Sequence, residues 1–323
     1  MHVMAQATWA PTDPLNMVEL PTPEPRAGEV RVAVKAVGVN PVDWKMRQRG
    51  PLRLAARLLG PPLPFVPGVD FAGIVEALGP GVTALAAGDR VVGGTNFSRG
   101  QRGSYADVAV VRADQLCKLP PNVDLEAAGA MPVAGVTAWM AVVGIGRIAQ
   151  APEAERRVLV LGASGGVGQL AVQLAKTHRA TVVGVCSARN ADRVRALGAD
   201  AILDYQAGDP LEAAKAHGPF RVVVDCVGGY SAGACRGLLG SGGRHVMVPG
   251  DTFGAMVQIL VPPFTSRLLL GKPDAAHLAP LVAEMEAGRL RVEIAHRLPL
   301  AQAEEAHRLS QSGRVAGKIV LVP

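Results

Sequence analysis

Apolar and polar residues alternate over residues 30–39 (VRVAVKAVGV), and similar short β-type runs return over 74–78, 89–92 and 106–111. β-Branched side chains are frequent in these runs, and glycine-rich breaks at 79–81, 93–94 and 100–103 punctuate them. Short strands at such close spacing predict a barrel-like all-β unit. Past about residue 126 the rhythm changes. Residues 157–161 (RVLVL) are a continuous apolar run, as expected of a strand covered on both faces. Helical apolar spacing follows over 167–176, then a strand at 181–185, a helix over 191–197, and strands at 201–203, 221–225 and 244–248. Strands alternating with helices predict a parallel, doubly wound α/β sheet. Helices over about 275–287 and 301–311 and a strand over 318–322 complete the chain, and order alone lets them close either unit.

A length of 323 residues fits about two domains. With 49% hydrophobic residues there is apolar material for sizeable cores, which excludes a disordered chain. Cys117, Cys186, Cys226 and Cys235 are too dispersed for a disulfide framework and form no CxxC pair. That excludes a cysteine-rich zinc module and fits a reducing, cytoplasmic setting. The first ten residues lack the basic and apolar segments of a signal peptide. Residues 127–146 carry no charge over a bilayer-spanning length, but Pro132 and four glycines interrupt them. They predict buried helix and loop, so no membrane span is expected. A second apolar stretch, 256–270, holds Pro262, Pro263 and Arg267 and predicts a hydrophobic flap or interface element.

The net charge of +6 raises the question of an acidic partner. Lys45, Arg47, Arg49, Arg53 and Arg57 form a run without an intervening acid. It reads either as a solvated face or as a site for an acidic or phosphorylated ligand. Only Trp44 stands nearby, so a nucleic-acid partner is not favoured.

The candidate chemistry lies between the buried strand and the helix after it, in Gly162-Ala163-Ser164-Gly165-Gly166-Val167-Gly168. Gly165 and Gly168 keep the spacing of the last two glycines in a dinucleotide fingerprint. Missing β-carbons let backbone approach a pyrophosphate, and the helix N-terminus offers free N–H groups to its charge. The next strand end runs Ser187-Ala188-Arg189-Asn190, with no acid before Asp192. An acid there would bind a ribose 2′-hydroxyl, whereas the Ser187 hydroxyl and Arg189 guanidinium suit a 2′-phosphate. NADPH is therefore the expected cofactor.

Taken together the chain resembles a medium-chain dehydrogenase/reductase of the zinc-independent quinone oxidoreductase and enone reductase branch. The resemblance rests on Gly38-Val39-Asn40-Pro41-Val42-Asp43-Trp44-Lys45, Pro67-Gly68-Val69-Asp70-Phe71-Ala72-Gly73 and Gly88-Asp89-Arg90-Val91. Pro132-Val133-Ala134-Gly135-Val136-Thr137-Ala138, the glycine motif and Gly317-Lys318-Ile319-Val320 extend it along nearly the whole length. It implies a GroES-like β-barrel domain over residues 1–125 and 272–323. A Rossmann NADPH-binding domain over 126–271 would be inserted into it, and the assembly would be a homodimer. Asn40 and Val69 stand where zinc-dependent relatives place a cysteine and a histidine, so no metal is expected.

The resemblance also implies residue roles. Asn40 would lie at the nicotinamide or substrate and Thr137 on the nicotinamide side. Ser164, Gly165, Gly166, Val167 and Gly168 would hold the pyrophosphate, Ser187 and Arg189 the 2′-phosphate, and Tyr205 would line the adenosine end. Cys226, Val227 and Gly228 follow one strand, and Val248 and Pro249 the next, where open α/β sheets bind ligands. Lys318 reads equally as a cofactor or substrate contact and as a surface lysine. Asp43 and Lys45 are candidates for proton relay, or for a structural ion pair. The histidines fall outside every matching motif and read as surface or packing residues.

The expected activity is NADPH-dependent hydride transfer to quinones or α,β-unsaturated carbonyl compounds without zinc. A trans-acting enoyl reductase on carrier-bound or coenzyme A thioesters, and a non-enzymatic NADPH-binding protein, are the alternatives.

Overall fold

The computed structural model describes residues 1–48, 50–61, 63–248, 266–268 and 273–323. Pro249, Arg49 and most of the 256–270 stretch lie outside the described residues. The chain divides into two compact units, Met1–Val133 with Lys272–Pro323, and Ala134–Gly271. The terminal segment thus joins the first unit.

In the first unit a seven-stranded sheet runs in the order Ile294–Pro299, Lys318–Val322, Glu29–Val39, Asp70–Leu78, Arg90–Gly94 and Leu116–Lys118, with Val108–Arg112 also paired to Glu29–Val39. The long strand Glu29–Val39 therefore organises the unit. Its alternating residues Val30, Val32, Val34 and Ala36 are buried, as the two-residue period requires. Val30, Val32 and Val34 pack with Phe71, Tyr105, Leu116, Ile319 and Leu321, whereas Ala36, beyond a register shift in the strand, packs with Ala130 and Val320. Several elements here lie outside those the sequence predicts: the pair His2–Ala5 and Asn16–Glu19, the amphipathic helix Pro51–Leu59 and the strand Ile294–Pro299.

The second unit holds a six-stranded sheet in the order Ala201–Asp204, Thr181–Cys186, Arg157–Leu161, Phe220–Asp225, Leu239–Met247, Ser266–Leu268. Every adjacent pair is parallel. Arg157–Leu161 lies centrally, and its Val158, Leu159, Val160 and Leu161 are fully buried, which explains the unbroken apolar run. The order reverses between this strand and Phe220–Asp225. That makes their carboxyl ends the place where such a sheet receives a ligand.

The apolar residues after 125 fold as helices Leu125–Ala130 and Pro132–Trp139 followed by a π-helix, Met140–Ile145. The helical run Pro132–Gln150 is long and apolar enough to cross a membrane by length and composition, yet more than half of it is buried inside the protein.

After Leu161 the chain turns through Gly162 at φ +78° into the helix Gly166–Thr177. A β-carbon at Gly168 would stand 2.2 Å from the Gly162 carbonyl oxygen. Gly168→Ala must force helix and strand apart. The expected cost is about 1–3 kcal/mol, read as a fall in Tm of about 2–10 °C in thermal unfolding.

Candidate functional site

Two polar systems stand out, one in each unit. In the nucleotide-binding-type sheet, the first N–H groups of the helix Gly166–Thr177 have no partners within the helix. Ser164 lies in the loop before them. Ser187 follows the next strand and is buried, while Arg189 beside it is exposed. Asn190, absent from the expected set, donates from Nδ2 to Ser164 Oγ at 3.3 Å and to Ser187 Oγ at 3.2 Å. Tyr205 follows the strand Ala201–Asp204 and is half exposed.

At the reversal point Asp225 does what the sequence did not reveal. Its Oδ1 accepts the N–H groups of Val227 and Gly228 at 2.9 and 2.8 Å, turning the chain back over the sheet. Burial raises its carboxyl above the ordinary range against those two hydrogen bonds. The Cys226 N–H donates to Leu161 O, and the Val248 N–H to Asp225 O. The loop therefore holds Val227 exposed at the strand end. Thr137 lies in the helix Pro132–Trp139 and is buried.

The other unit encloses a charged cluster built around Asn40. Strand Glu29–Val39 ends at Val39, and Asn40 leads into the short helix Pro41–Lys45 with Pro41 at its first position. Asp43 Oδ2 accepts the Asn40 backbone N–H at 2.7 Å. The Asn40 side chain donates to Asp70 Oδ2 at 2.8 Å and to Gly38 O at 3.3 Å. Its Oδ1 accepts from Lys318 Nζ at 2.6 Å, and Lys318 also donates to Val39 O at 3.0 Å. Asp70 Oδ1 accepts the Val133 N–H at 2.9 Å. Lys318 is thus a buried ammonium 4.0 Å from Asp70, and the surface reading of it is removed.

Three further side chains extend this cluster. Tyr105 Oη lies 3.4 Å from Asp43 Oδ2 and 3.0 Å from His307 Nε2. His307 Nδ1 lies 2.9 Å from an Arg47 guanidinium nitrogen, and Arg47 also donates to Gln6, Asp13 O and Glu304. A guanidinium only donates, so His307 Nδ1 accepts and Nε2 carries the proton. Burial, with Arg47 beside it, drives His307 down to about 3, so it is neutral. One expectation is corrected here: Arg47 is buried and is no part of a solvated face; of the two readings of His307, surface or packing, its burial leaves packing.

Burial raises the Asp43 carboxyl to about 7 and that of Asp70 to about 6, with Lys318 opposing both. Burial lowers Lys318. Asp43 Oδ1 has no hydrogen-bond partner, and the residue has no exposed surface, so it cannot itself meet a substrate. Both amide hydrogens of Asn40 go to protein acceptors. Lys45 is half buried, its Nζ 5.5 Å from the centroid of the Trp44 ring.

Residues 26–121 match the family described as alcohol dehydrogenase GroES-like domain, and residues 197–321 that described as zinc-binding dehydrogenase. The chain is 35% identical over 317 residues to a chloroplast envelope quinone oxidoreductase homolog of Arabidopsis thaliana, covering 96% of this chain and 94% of that one. It is 30% identical over 328 residues to a mitochondrial NAD(P)H oxidoreductase of Homo sapiens, covering 91% and 81%. The solved quinone oxidoreductase from Coxiella burnetii superposes with a TM-score of 0.86 at 30% identity, covering 100% and 98%.

The chain belongs to the medium-chain dehydrogenase/reductase superfamily. It is an oxidoreductase of that superfamily with quinone oxidoreductase homologues, and its cofactor is a nicotinamide nucleotide. Its GroES-like and Rossmann-like parts are the two sheets described above. Among the described residues no group of three or more His, Cys, Asp or Glu is placed to hold a metal ion.

The raised Asp43 carboxyl has a consequence for stability. Its folded value of about 7 exceeds the ordinary 3.8, so the folded state holds a proton that the unfolded chain gives up. This contribution is full below about pH 4 and is lost as pH rises through 7. Asp43→Asn removes it. Melting curves from pH 4 to 8 should show the variant with a shallower decline in Tm than the parent.

Proposed function

We propose that the chain is an NADPH-dependent, zinc-independent reductase of quinones or α,β-unsaturated carbonyl compounds. The observation that carries the cofactor choice is the loop after Thr181–Cys186, which offers the Ser187 hydroxyl and the exposed Arg189 guanidinium. The first acid beyond it, Asp192, has a fully exposed side chain paired with Arg195 at 2.8 Å. A 2′-phosphate therefore meets donors and a cation rather than a carboxylate.

Zinc does not fit the other unit. Asn40 Oδ1 is taken by the Lys318 ammonium at 2.6 Å, and Asp70 is bound by Asn40 and Val133. A metal ion among these groups would face that ammonium. No step is routed through a metal.

Ser164, Gly165, Gly166, Val167 and Gly168 would hold the pyrophosphate, and Ser187 and Arg189 the 2′-phosphate. Thr137, Tyr205, Cys226, Val227, Gly228 and Val248 would complete the cofactor's surroundings. The bound nucleotide supplies hydride. Asn40, Asp43, Asp70 and Lys318 hold a fixed charge distribution in the GroES-like unit. Lys45, which keeps some exposed surface, is the remaining candidate among the expected catalytic groups for moving a proton. The four cysteines are free thiols.

Steady-state oxidation of NADPH against a panel of quinones and enones tests the activity, and background rates with every acceptor despite NADPH binding would refute it. Arg189→Asp should weaken NADPH by about 10- to 100-fold while leaving NADH nearly unchanged. Equal losses for both nucleotides would remove the 2′-phosphate assignment.

A further inference from the structure

Asn190 stands immediately before the helix Ala191–Ala196, where an asparagine ordinarily caps by accepting a backbone N–H. Its side chain makes no such bond. Instead Nδ2 reaches back to Ser164 Oγ in the glycine loop and to Ser187 Oγ at the end of the neighbouring strand. The Asn190 backbone N–H donates to Ser187 O at 2.9 Å, which fixes the turn that aims the amide. One carboxamide thus links two loops that follow adjacent parallel strands.

A hydroxyl can donate or accept, whereas a phosphate oxygen at neutral pH mainly accepts. Where Nδ2 donates to a serine oxygen, that hydroxyl's own hydrogen is left to point elsewhere. We infer that Asn190 is a positioning and specificity-determining residue that sets Ser164 and Ser187 as hydrogen-bond donors toward the phosphates of a 2′-phosphorylated nucleotide. The inference rests on the NADPH reading above. A carboxylate of the same shape would accept from both hydroxyls, turn their hydrogens inward and add a negative charge. It would weaken a 2′-phosphate and favour an unmodified ribose.

The test is calorimetric binding of 2′,5′-ADP and 5′-AMP to the full chain, its Asn190→Asp variant and its Asn190→Ala variant. Melting curves accompany each titration to establish folding. The parent should bind 2′,5′-ADP at least about tenfold more tightly than 5′-AMP, one charge-assisted hydrogen bond corresponding to that factor. Asn190→Asp should reduce that ratio by about tenfold or more, and Asn190→Ala by a smaller factor because it adds no charge. A parent with no preference for 2′,5′-ADP would defeat the NADPH reading itself. A parent that prefers 2′,5′-ADP, with the ratio unchanged in folded Asn190→Asp, would leave that reading standing and overturn the role of Asn190. Parallel losses for both ligands in the two variants would also overturn it, because they would mark a structural role alone.

Discussion

The buried ammonium of Lys318 constrains the GroES-like unit. Strand Lys318–Val322 pairs antiparallel with Glu29–Val39, Ile319 opposite Val39, and this register carries Nζ to Val39 O and Asn40. A lone ammonium in that interior would be costly, so the sequence supplies Asp70 from the next strand. The end of the chain, its first long strand and the strand Asp70–Leu78 are thereby tied by one charge. Orientation of Asn40 follows directly. Its oxygen faces the cation, so its nitrogen must face Asp70, whose other oxygen takes Val133 at the start of a helix. One cation beside two buried carboxyls also leaves one of them inclined to keep its proton. Asp43, farther from the neutralising contacts, is raised more than Asp70.

Most of the fold was legible because strands and helices impress their periods on the sequence. The run 157–161 and the terminal strand 318–322 coincide with observed strands, and the doubly wound order follows from the alternation. His2–Ala5 and Asn16–Glu19 were missed because four residues carry too little period. The charged cluster was legible only in part. Asn40, Asp43 and Lys318 stood in recognisable motifs. Asp70, at the head of an apolar strand, gave no sign that it was a buried counter-ion. Arg47 sat in a run of bases that composition alone reads as surface. Its contacts to His307 and Glu304 lie 260 and 257 residues away, a separation that no local pattern encodes. A faint signal existed for His307: it shares a helical face with Ala303 and Ala306, both buried.

The two polar systems are built for different tasks. Around Asn40 the donors are matched to protein acceptors, and the whole cluster is withdrawn from water. Ser164 and the buried Ser187 lie instead in loops beside unpaired helix N–H groups and an exposed guanidinium. The first arrangement holds a geometry, whereas the second invites an anion.

Both systems obtain their direction from a group that donates. Arg47 cannot accept, so His307 Nδ1 must, which leaves Nε2–H to donate to Tyr105 and the Tyr105 hydroxyl to donate to Asp43. A proton leaving Asp43 along this chain would have to end on His307 with Nδ1–H pressed against the guanidinium. The low value of His307 expresses how unfavourable that state is. The chain therefore braces the Asn40 turn. Asn190 applies the same logic at the nucleotide loops. There the oriented groups are hydroxyls with a free hydrogen, so fixing their direction creates a binding surface instead of a closed core.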